Sequence, residues 1–480
     1  MSFIESLEKE TNVSYTANGA ISNASTLDPV LDFFSKAAAM RGRAKQAVGL
    51  FEKAYAANNE LAVRALFWLR DVRGGQGERD LFREIFASLD PKVRAQVVEH
   101  VPEYGRWDDI DFVANFPLVK AQLDEDVKNA TEGKSVSLLA KWLPSENASS
   151  KTSRKTAREL AKLLKVTPRQ YRKKVAALRA RIKLLEQDMS TKNWSEIDYA
   201  KLPSQALRKH IAAFKRNDNT RYEQYLEDVA SGKQKINAST LFAYEVYNLI
   251  HNGRDNDTTA DALWNNLPDY TNGQNALVVA DVSGSMTGAY GSSVSPMSVS
   301  VSLALYFADK NKGLFHDYFM TFSDDSKLQK VRGNTLREKM NSIERAEWGM
   351  STNLQSAFDA ILSAALDANA SQEEMPATLY IISDMQFNEA TYRNRDTNLS
   401  VAHKKFEEAG YKLPQVVFWN VNAYADAPAT KYDEGVTLIS GSSQSTFKFV
   451  FEGKTPLESM LEVLNSDRYA KIKLVNSYEL

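Results

Sequence analysis

The feature that most constrains this chain is a short apolar run, Asn275-Ala276-Leu277-Val278-Val279-Ala280, that passes directly into Asp281-Val282-Ser283-Gly284-Ser285. An unbroken apolar run rich in β-branched residues predicts a parallel strand buried on both faces. A polar loop at the carboxyl end of such a strand falls where open α/β sheets hold their ligands. One carboxylate and two hydroxyls at alternate positions offer three oxygen donors, the chemistry that a hard divalent cation such as Mg²⁺ or Mn²⁺ requires. Two further oxygens are expected from the same sheet edge. Trp348-Gly349-Met350-Ser351-Thr352-Asn353-Leu354 precedes an amphipathic helix marked by Leu354, Phe358, Ile361 and Leu362, and the apolar run Leu379-Tyr380-Ile381-Ile382 leads through Ser383 into Asp384. The candidate metal ligands are Asp281, Ser283, Ser285, Thr352 and Asp384, and an octahedral shell keeps room beside them for water or a partner's carboxylate.

From this run onward strands and helices alternate. Strands are expected at 274–281, 314–322, 378–383, 415–421 and 435–440, with helices near 297–311, after Thr352, near 397–409 and near 456–465. That alternation predicts a doubly wound parallel sheet. Upstream, from about Pro29 to Asn252, the pattern is helical, as in Glu60-Leu61-Ala62-Val63-Arg64-Ala65-Leu66-Phe67-Trp68-Leu69. Antiparallel helical pairs stacked as a solenoid fit this spacing. Residues after His251 are rich in Asn, Asp, Thr and Gly, the composition of a connector. The expected division is a helical domain over 1–255, a linker over 256–273 and an α/β domain over 274–480.

Cysteine is absent, which excludes disulfides, zinc-thiolate sites and cysteine nucleophiles. The start, Met1-Ser2-Phe3-Ile4-Glu5-Ser6-Leu7-Glu8-Lys9-Glu10, lacks the basic and apolar stretches of a signal peptide, and no stretch approaches 18 uninterrupted apolar residues. A cytoplasmic protein without a membrane partner is expected. A net charge of −1 conceals a division: residues 1–250 hold 40 Lys and Arg against 32 Asp and Glu, whereas the rest hold 20 against 29. A polyanion is attracted by the first part and repelled by the second.

The basic excess concentrates between Lys141 and Lys183, where only Glu146 and Glu159 oppose 14 cations. The candidate nucleic-acid contacts are Lys151, Arg154, Lys155, Arg158, Arg169, Arg172, Lys173, Lys174 and Arg179. Cations at this density neutralise phosphates and release counterions; a solvated helical face with local salt bridges is the competing reading. Thr167-Pro168 is a cap and first-turn pair, opening a helix with Tyr171, Val175, Leu178, Ile182 and Leu185 on one face. Residues 154–183 also resemble a helix-turn-helix unit, so DNA stays open beside RNA. The stretch Leu69-Arg70-Asp71-Val72-Arg73-Gly74-Gly75-Gln76-Gly77-Glu78-Arg79-Asp80 lacks the Walker spacing and lysine, and reads as a turn between helices tied by Arg-Asp pairs. Pro102-Glu103-Tyr104-Gly105-Arg106-Trp107 either stacks on unpaired bases or packs between helices. The five histidines form no metal-spaced pair, and Ser283 has no candidate histidine near it in sequence, so a hydrolase is not expected.

The Asp-x-Ser-x-Ser, Thr and Asp constellation resembles a von Willebrand factor A-type domain with a metal-ion-dependent adhesion site, whose cation ligands match Asp281, Ser283, Ser285, Thr352 and Asp384. With a helical part before it, the whole chain resembles the Ro/TROVE group of RNA-binding proteins. The phrases Arg73-Gly74-Gly75-Gln76-Gly77-Glu78-Arg79, Tyr104-Gly105-Arg106-Trp107-Asp108-Asp109, Ala140-Lys141-Trp142-Leu143-Pro144-Ser145 and Lys235-Ile236-Asn237-Ala238 resemble more closely an uncharacterised family of the same layout. The resemblance implies a HEAT-like helical repeat domain followed by a Rossmann-like α/β domain. It implies a non-enzymatic ribonucleoprotein component, with RNA on the helical part and an acidic protein ligand at an Mg²⁺ or Mn²⁺ site. A metal-dependent protein-protein adaptor without nucleic acid is the alternative.

Overall fold

The computed structural model describes residues 3–252, 257–288, 294–321, 325–344, 351–389 and 396–475. Helices fill most of the amino-terminal part and a six-stranded sheet forms in the carboxy-terminal part, so the expected helical and α/β layout is present. Among the described residues no helix is long and apolar enough to cross a membrane.

Strands β1 (Val13–Tyr15) and β2 (Ile21–Asn23) form an antiparallel hairpin. The sheet consists of β3 (Ala276–Ala280), β4 (Tyr318–Thr321), β5 (Leu328–Lys330), β6 (Thr378–Ser383), β7 (Gln415–Asn420) and β8 (Val436–Ser440), in the order β5-β4-β3-β6-β7-β8. All neighbours are parallel except β5, which closes the edge antiparallel to β4. Every residue of β3 is buried, as its unbroken apolar run requires. From β3 the chain winds outward to β4 and β5, then returns across the sheet to β6. The carboxyl ends of β3 and β6 are therefore the point where winding reverses and the flanking loops part.

Side chains alternate across the pleat. Leu277, Val279, Leu379, Ile381, Val416, Phe418 and Leu438 face the buried residues of the helices Leu354–Asp367 and Asn398–Glu408. On the other face Tyr380 packs against Phe307 of the helix Pro296–Lys310 and against Phe447, with ring centroids 5.2 and 4.9 Å away.

Contacts gather the chain into two compact units that cut across the expected division. One comprises Met1–Ser88 with Ala238–Lys471, the other Leu89–Asn237 with Ile472–Leu480. The helices Phe3–Thr11, Pro29–Lys36, Ala44–Ala57, Asn59–Arg70 and Arg79–Ser88 thus belong with the sheet. The physical reason lies in the helix Asn59–Arg70, which is buried on every face from Ala62 to Arg70 and needs partners all round. Phe34 stacks on Trp68 at 4.1 Å, Arg64 donates to Asn465 at 2.7 Å, and buried Asp71 is clamped by Arg468 and by the Tyr469 hydroxyl at 2.9 Å. The expected linker is also corrected. Within it Asp257–Asn265 is helical, because Asp257 favours the first turn and Thr259, Ala260, Leu263 and Trp264 bury one side.

The glycine-rich loop after Asn59–Arg70 is the turn expected, with Arg79 paired to Asp80 at 2.9 Å, while Asp71 ties to the distant Arg468. A Cβ on Gly75 would lie 2.0 Å from the Trp68 carbonyl oxygen, itself the acceptor of Gln76 N at 3.1 Å. Gly75→Ala is expected to cost about 3 kcal/mol through this backbone clash, read as a lowered urea midpoint; a wild-type midpoint would remove the loop from the fold's tight contacts.

The second unit is helical, with lengths from 4 residues at Val101–Tyr104 to 16 at Phe116–Thr131. In the helix Pro168–Ile182, Thr167 and Gln170 cap each other, and Tyr171, Val175 and Leu178 are buried. The expected apolar face does not continue unbroken to Leu185. Lys183 takes a left-handed conformation with φ 51°, ends the helix, and leaves Leu185 to begin the next one.

Candidate metal centre and nucleic-acid interface

Each expected metal ligand is positioned by an element end, with four of the five buried. Asp281 follows β3 and Asp384 follows the neighbouring β6; Asp281 N donates to the Ile382 carbonyl at 2.9 Å, which continues the strand pairing into the site. Asp281 Oδ1 accepts from Ser283 N at 2.9 Å and Oδ2 from the Ser383 hydroxyl at 2.5 Å. The Ser283 and Ser285 hydroxyls lie 3.0 Å apart. Thr352 stands just before the helix Leu354–Asp367, its carbonyl accepting from Asn388 N at 3.0 Å and its hydroxyl donating to Asn388 Oδ1 at 2.9 Å. Residues 345–350, which include Trp348, Gly349 and Met350, lie outside the described residues.

Asp281, Ser283, Thr352 and Asp384 are almost fully buried, while Ser285 is half-buried. Burial raises the Asp281 carboxyl above its usual range, against the opposing hydrogen bonds of Ser383 and Ser283. The Asp384 carboxyl is pushed up to about 6, chiefly by burial and next by the Asp281 charge, with the nearby Ser285 hydroxyl and the Gln386 amide pulling the other way. Asp384 Oδ1 accepts from Gln386 N at 3.1 Å, but Oδ2 is buried without a hydrogen-bond partner. A buried carboxylate oxygen without a hydrogen-bond partner, repelled by the charge of Asp281, costs free energy until a proton or a cation neutralises it. Among the described residues no three Asp, Glu or His side chains gather into a cage. A cation at this edge would meet two carboxylates and hydroxyl oxygens, a donor set of the kind that Mg²⁺ or Mn²⁺ takes.

One contributor escaped the sequence reading. The loop between β1 and β2 reaches this edge of the sheet. Asn18 Nδ2 donates to the Thr352 hydroxyl oxygen at 2.8 Å and to the Gln386 carbonyl at 2.6 Å. Ala17 N donates to Gln386 Oε1 at 2.6 Å, and the Thr16 hydroxyl to the Phe387 carbonyl at 2.7 Å. Gln386 Nε2 in turn donates to Asp426 at 3.1 Å. The available signal was Asn18-Gly19 flanked by Val13-Ser14-Tyr15 and Ile21-Ser22-Asn23, a strong hairpin pattern.

The candidate nucleic-acid residues all lie in the second unit and separate into two groups. Lys151, Lys155, Arg158 and Lys162, at steps of four, three and four along the helix Lys151–Leu163, are all exposed, as are Lys165, Arg169, Arg172 and Lys173. Two of these cations form long salt bridges, Lys155 with Glu159 at 3.9 Å and Arg172 with Glu146 at 3.6 Å. Arg154, Lys174 and Arg179 are half-buried. Arg154 donates to the carbonyls of Ala148 and Ser149 at 2.6 and 2.9 Å, and Arg179 to those of Ala140 and Leu143 at 2.8 and 2.6 Å. These two guanidiniums hold the backbone of 140–149. Tyr104 and Trp107 are buried, so the aromatic phrase is packing.

Comparison with known proteins gives two matching family models, both domains of unknown function. DUF2828 matches residues 16–91 and 117–285, more than half of the chain, and DUF7788 matches residues 275–475. A relative in Acanthamoeba polyphaga mimivirus, the uncharacterized protein L728, is 31% identical over 94% of this chain and 87% of its own length.

Proposed function

The chain belongs to the family defined by the DUF2828 domain of unknown function, and from that premise we propose that it is a non-enzymatic RNA-binding protein with a von Willebrand factor A-type cation site in its α/β part. The observation that carries the RNA half is the exposed stripe Lys151, Lys155, Arg158 and Lys162, continued by Lys165, Arg169, Arg172 and Lys173. Arg154 and Arg179, engaged with backbone carbonyls, are withdrawn from the contact set.

Support for the von Willebrand A-type reading comes from the strand order. Numbered within the sheet, β3 to β8 run 3-2-1-4-5-6, and the ligand oxygens collect where the order reverses. Asp281, Ser283, Ser285, Thr352 and Asp384 would hold Mg²⁺ or Mn²⁺. Bound there, the ion supplies a coordination position that a carboxylate of an acidic protein ligand fills. The layout is then Ro/TROVE-like, with phosphates taken by the basic helices and a protein by the metal site.

Titration of the full chain with single-stranded RNA, structured RNA and duplex DNA at several salt concentrations tests the RNA half. If four phosphates are engaged, log K is expected to fall against log salt with a slope of roughly −3 on a single strand. An affinity for RNA that is absent, or indifferent to salt, sinks the proposal, and tighter binding to duplex DNA replaces it with the helix-turn-helix reading. The adaptor reading is favoured by one observation, the orphaned Asp384 Oδ2, which concerns the metal site alone. Its signature is a protein partner lost on Asp281→Ala from a chain that binds no nucleic acid.

A further inference from the structure

We infer that the amino-terminal hairpin is a working part of the cation site, and that Asn18 is a positioning residue which sets the Thr352 hydroxyl for the ion. The inference rests on the cation-site reading above. It begins with the bonding capacity of a hydroxyl, which has one hydrogen and two lone pairs. Thr352 spends the hydrogen on Asn388 Oδ1 at 2.9 Å and one lone pair on Asn18 Nδ2 at 2.8 Å. One lone pair remains, and its direction is fixed by the other two bonds.

The Asn18 amide is itself oriented. Its nitrogen also donates to the Gln386 carbonyl at 2.6 Å, and a flipped amide would set two oxygens against each other there. The donor to Thr352 is therefore an N–H, and the Thr352 oxygen is left as an acceptor toward the site. The rest of the hairpin tip holds the loop that follows Asp384. Ala17 N and the Thr16 hydroxyl bind Gln386 and Phe387, while Gln386 N holds Asp384 Oδ1 at 3.1 Å. Two of the five ligands, one hydroxyl and one carboxylate, are thus tied to a segment more than 330 positions away in sequence. Thr352 is only 2% exposed and Asp384 fully buried, whereas Asn18 lies at an exposed tip where truncation leaves no cavity.

The test is a double-mutant cycle read by Mn²⁺ affinity in electron paramagnetic resonance. Wild type, Asn18→Ala, Thr352→Ala, the double variant and Asp281→Ala are compared as full chains. Asn18→Ala is expected to weaken Mn²⁺ about tenfold, the scale of one orienting hydrogen bond. Thr352→Ala is expected to weaken it further, and the double variant to match Thr352→Ala alone, because Asn18 acts through that hydroxyl. An unchanged affinity in Asn18→Ala, or losses that multiply in the double variant, overturns the inference. If Asn18→Ala lacks a cooperative melt, Thr16→Val, which removes the hydroxyl's bond to Phe387 O and the one it accepts from Ala20 N while leaving Asn18 in place, carries the same test with a severalfold loss expected. Wild type that takes no Mn²⁺, or Asp281→Ala that binds as wild type, overturns the cation-site reading itself. Wild type that binds, with Asp281→Ala that does not, confines any failure to the hairpin.

Discussion

Asp384→Asn is expected to move two measurements in opposite directions: Mn²⁺ affinity falls at least about a hundredfold, and the cation-free protein becomes more stable. The first follows from removing one of two carboxylates in a site whose other donors are neutral hydroxyls, a larger change than losing an outer-sphere partner. The second follows from electrostatics. The Asp384 carboxyl is pushed up to about 6 by burial and by Asp281, and its Oδ2 has no hydrogen-bond partner. A carboxyl whose folded value lies above its unfolded value of 3.8 favours folding when neutral and opposes it when charged. The opposition is fully present above about pH 6 and vanishes as pH falls toward 3.8. At pH 7.5 the isosteric amide therefore stabilises the cation-free chain by about 3 kcal/mol at most, from about 1.4 kcal/mol per unit of pKa. Near pH 4 the two proteins should melt alike. Scanning calorimetry in chelator and Mn²⁺ titration without it provide the two numbers. A chelator-insensitive protein destabilised by Asp384→Asn would make this carboxylate an ordinary structural acceptor.

Charge reversal of Arg169, Arg172 and Lys173 is expected to lower RNA affinity by two to three orders of magnitude at 0.1 M salt. The three are exposed at positions i, i+3 and i+4 of the helix Pro168–Ile182 and so share one face. If each meets one phosphate, the salt slope should become shallower by roughly 2, at about 0.7 per phosphate of a single strand. Reversal at Arg179 is a poor alternative, since that guanidinium holds the Ala140 and Leu143 carbonyls and its loss confounds folding with binding. Unaltered affinity and slope in the triple variant, with Mn²⁺ binding intact, would leave the basic face a solvated surface.

The sheet was legible because a central parallel strand must be apolar on both faces, and β3, β6, β7 and β8 are short apolar runs with few alternatives. The placement of the candidate site's two carboxylates at neighbouring strand ends was legible for a related reason: Asp281 and Asp384 are the first charged residues after those runs. Edge strand β5, Leu-Gln-Lys, has no such pattern, since its stability comes from pairing with β4 rather than from its own side chains. The helix Asp257–Asn265 was read as connector because Asp and Thr favour loops and helix starts alike. The unit boundary was misjudged for a tertiary reason. Helical periodicity reports that residues 59–70 bury a surface, and says nothing of whether the surface covering it comes from the next helix or from Asn465 and Arg468. Asn18 was invisible for the same reason, as its partners lie in the loops after residue 350.

The discontinuous first unit dictates an order of events on the ribosome. Residues 1–88 emerge before the rest of this sequence, yet the Arg468 and Tyr469 that hold Asp71, and the Thr352 and Gln386 that Asn18 bonds, are encoded after residue 350. At roughly 5–20 residues per second, the nascent amino terminus waits on the order of ten seconds or more while the Leu89–Asn237 insertion and the sheet are made. Closing so long a loop is slow, and until it closes the side of the helix Asn59–Arg70 that carries Arg64 and leads into Asp71 lacks Asn465, Arg468 and Tyr469. The chain is thereby one whose early-made segment is among the last to find its place, and in which the Thr352 hydroxyl and the Gln386 side chain beside Asp384 gain bonds only when Asn18 and Ala17 arrive.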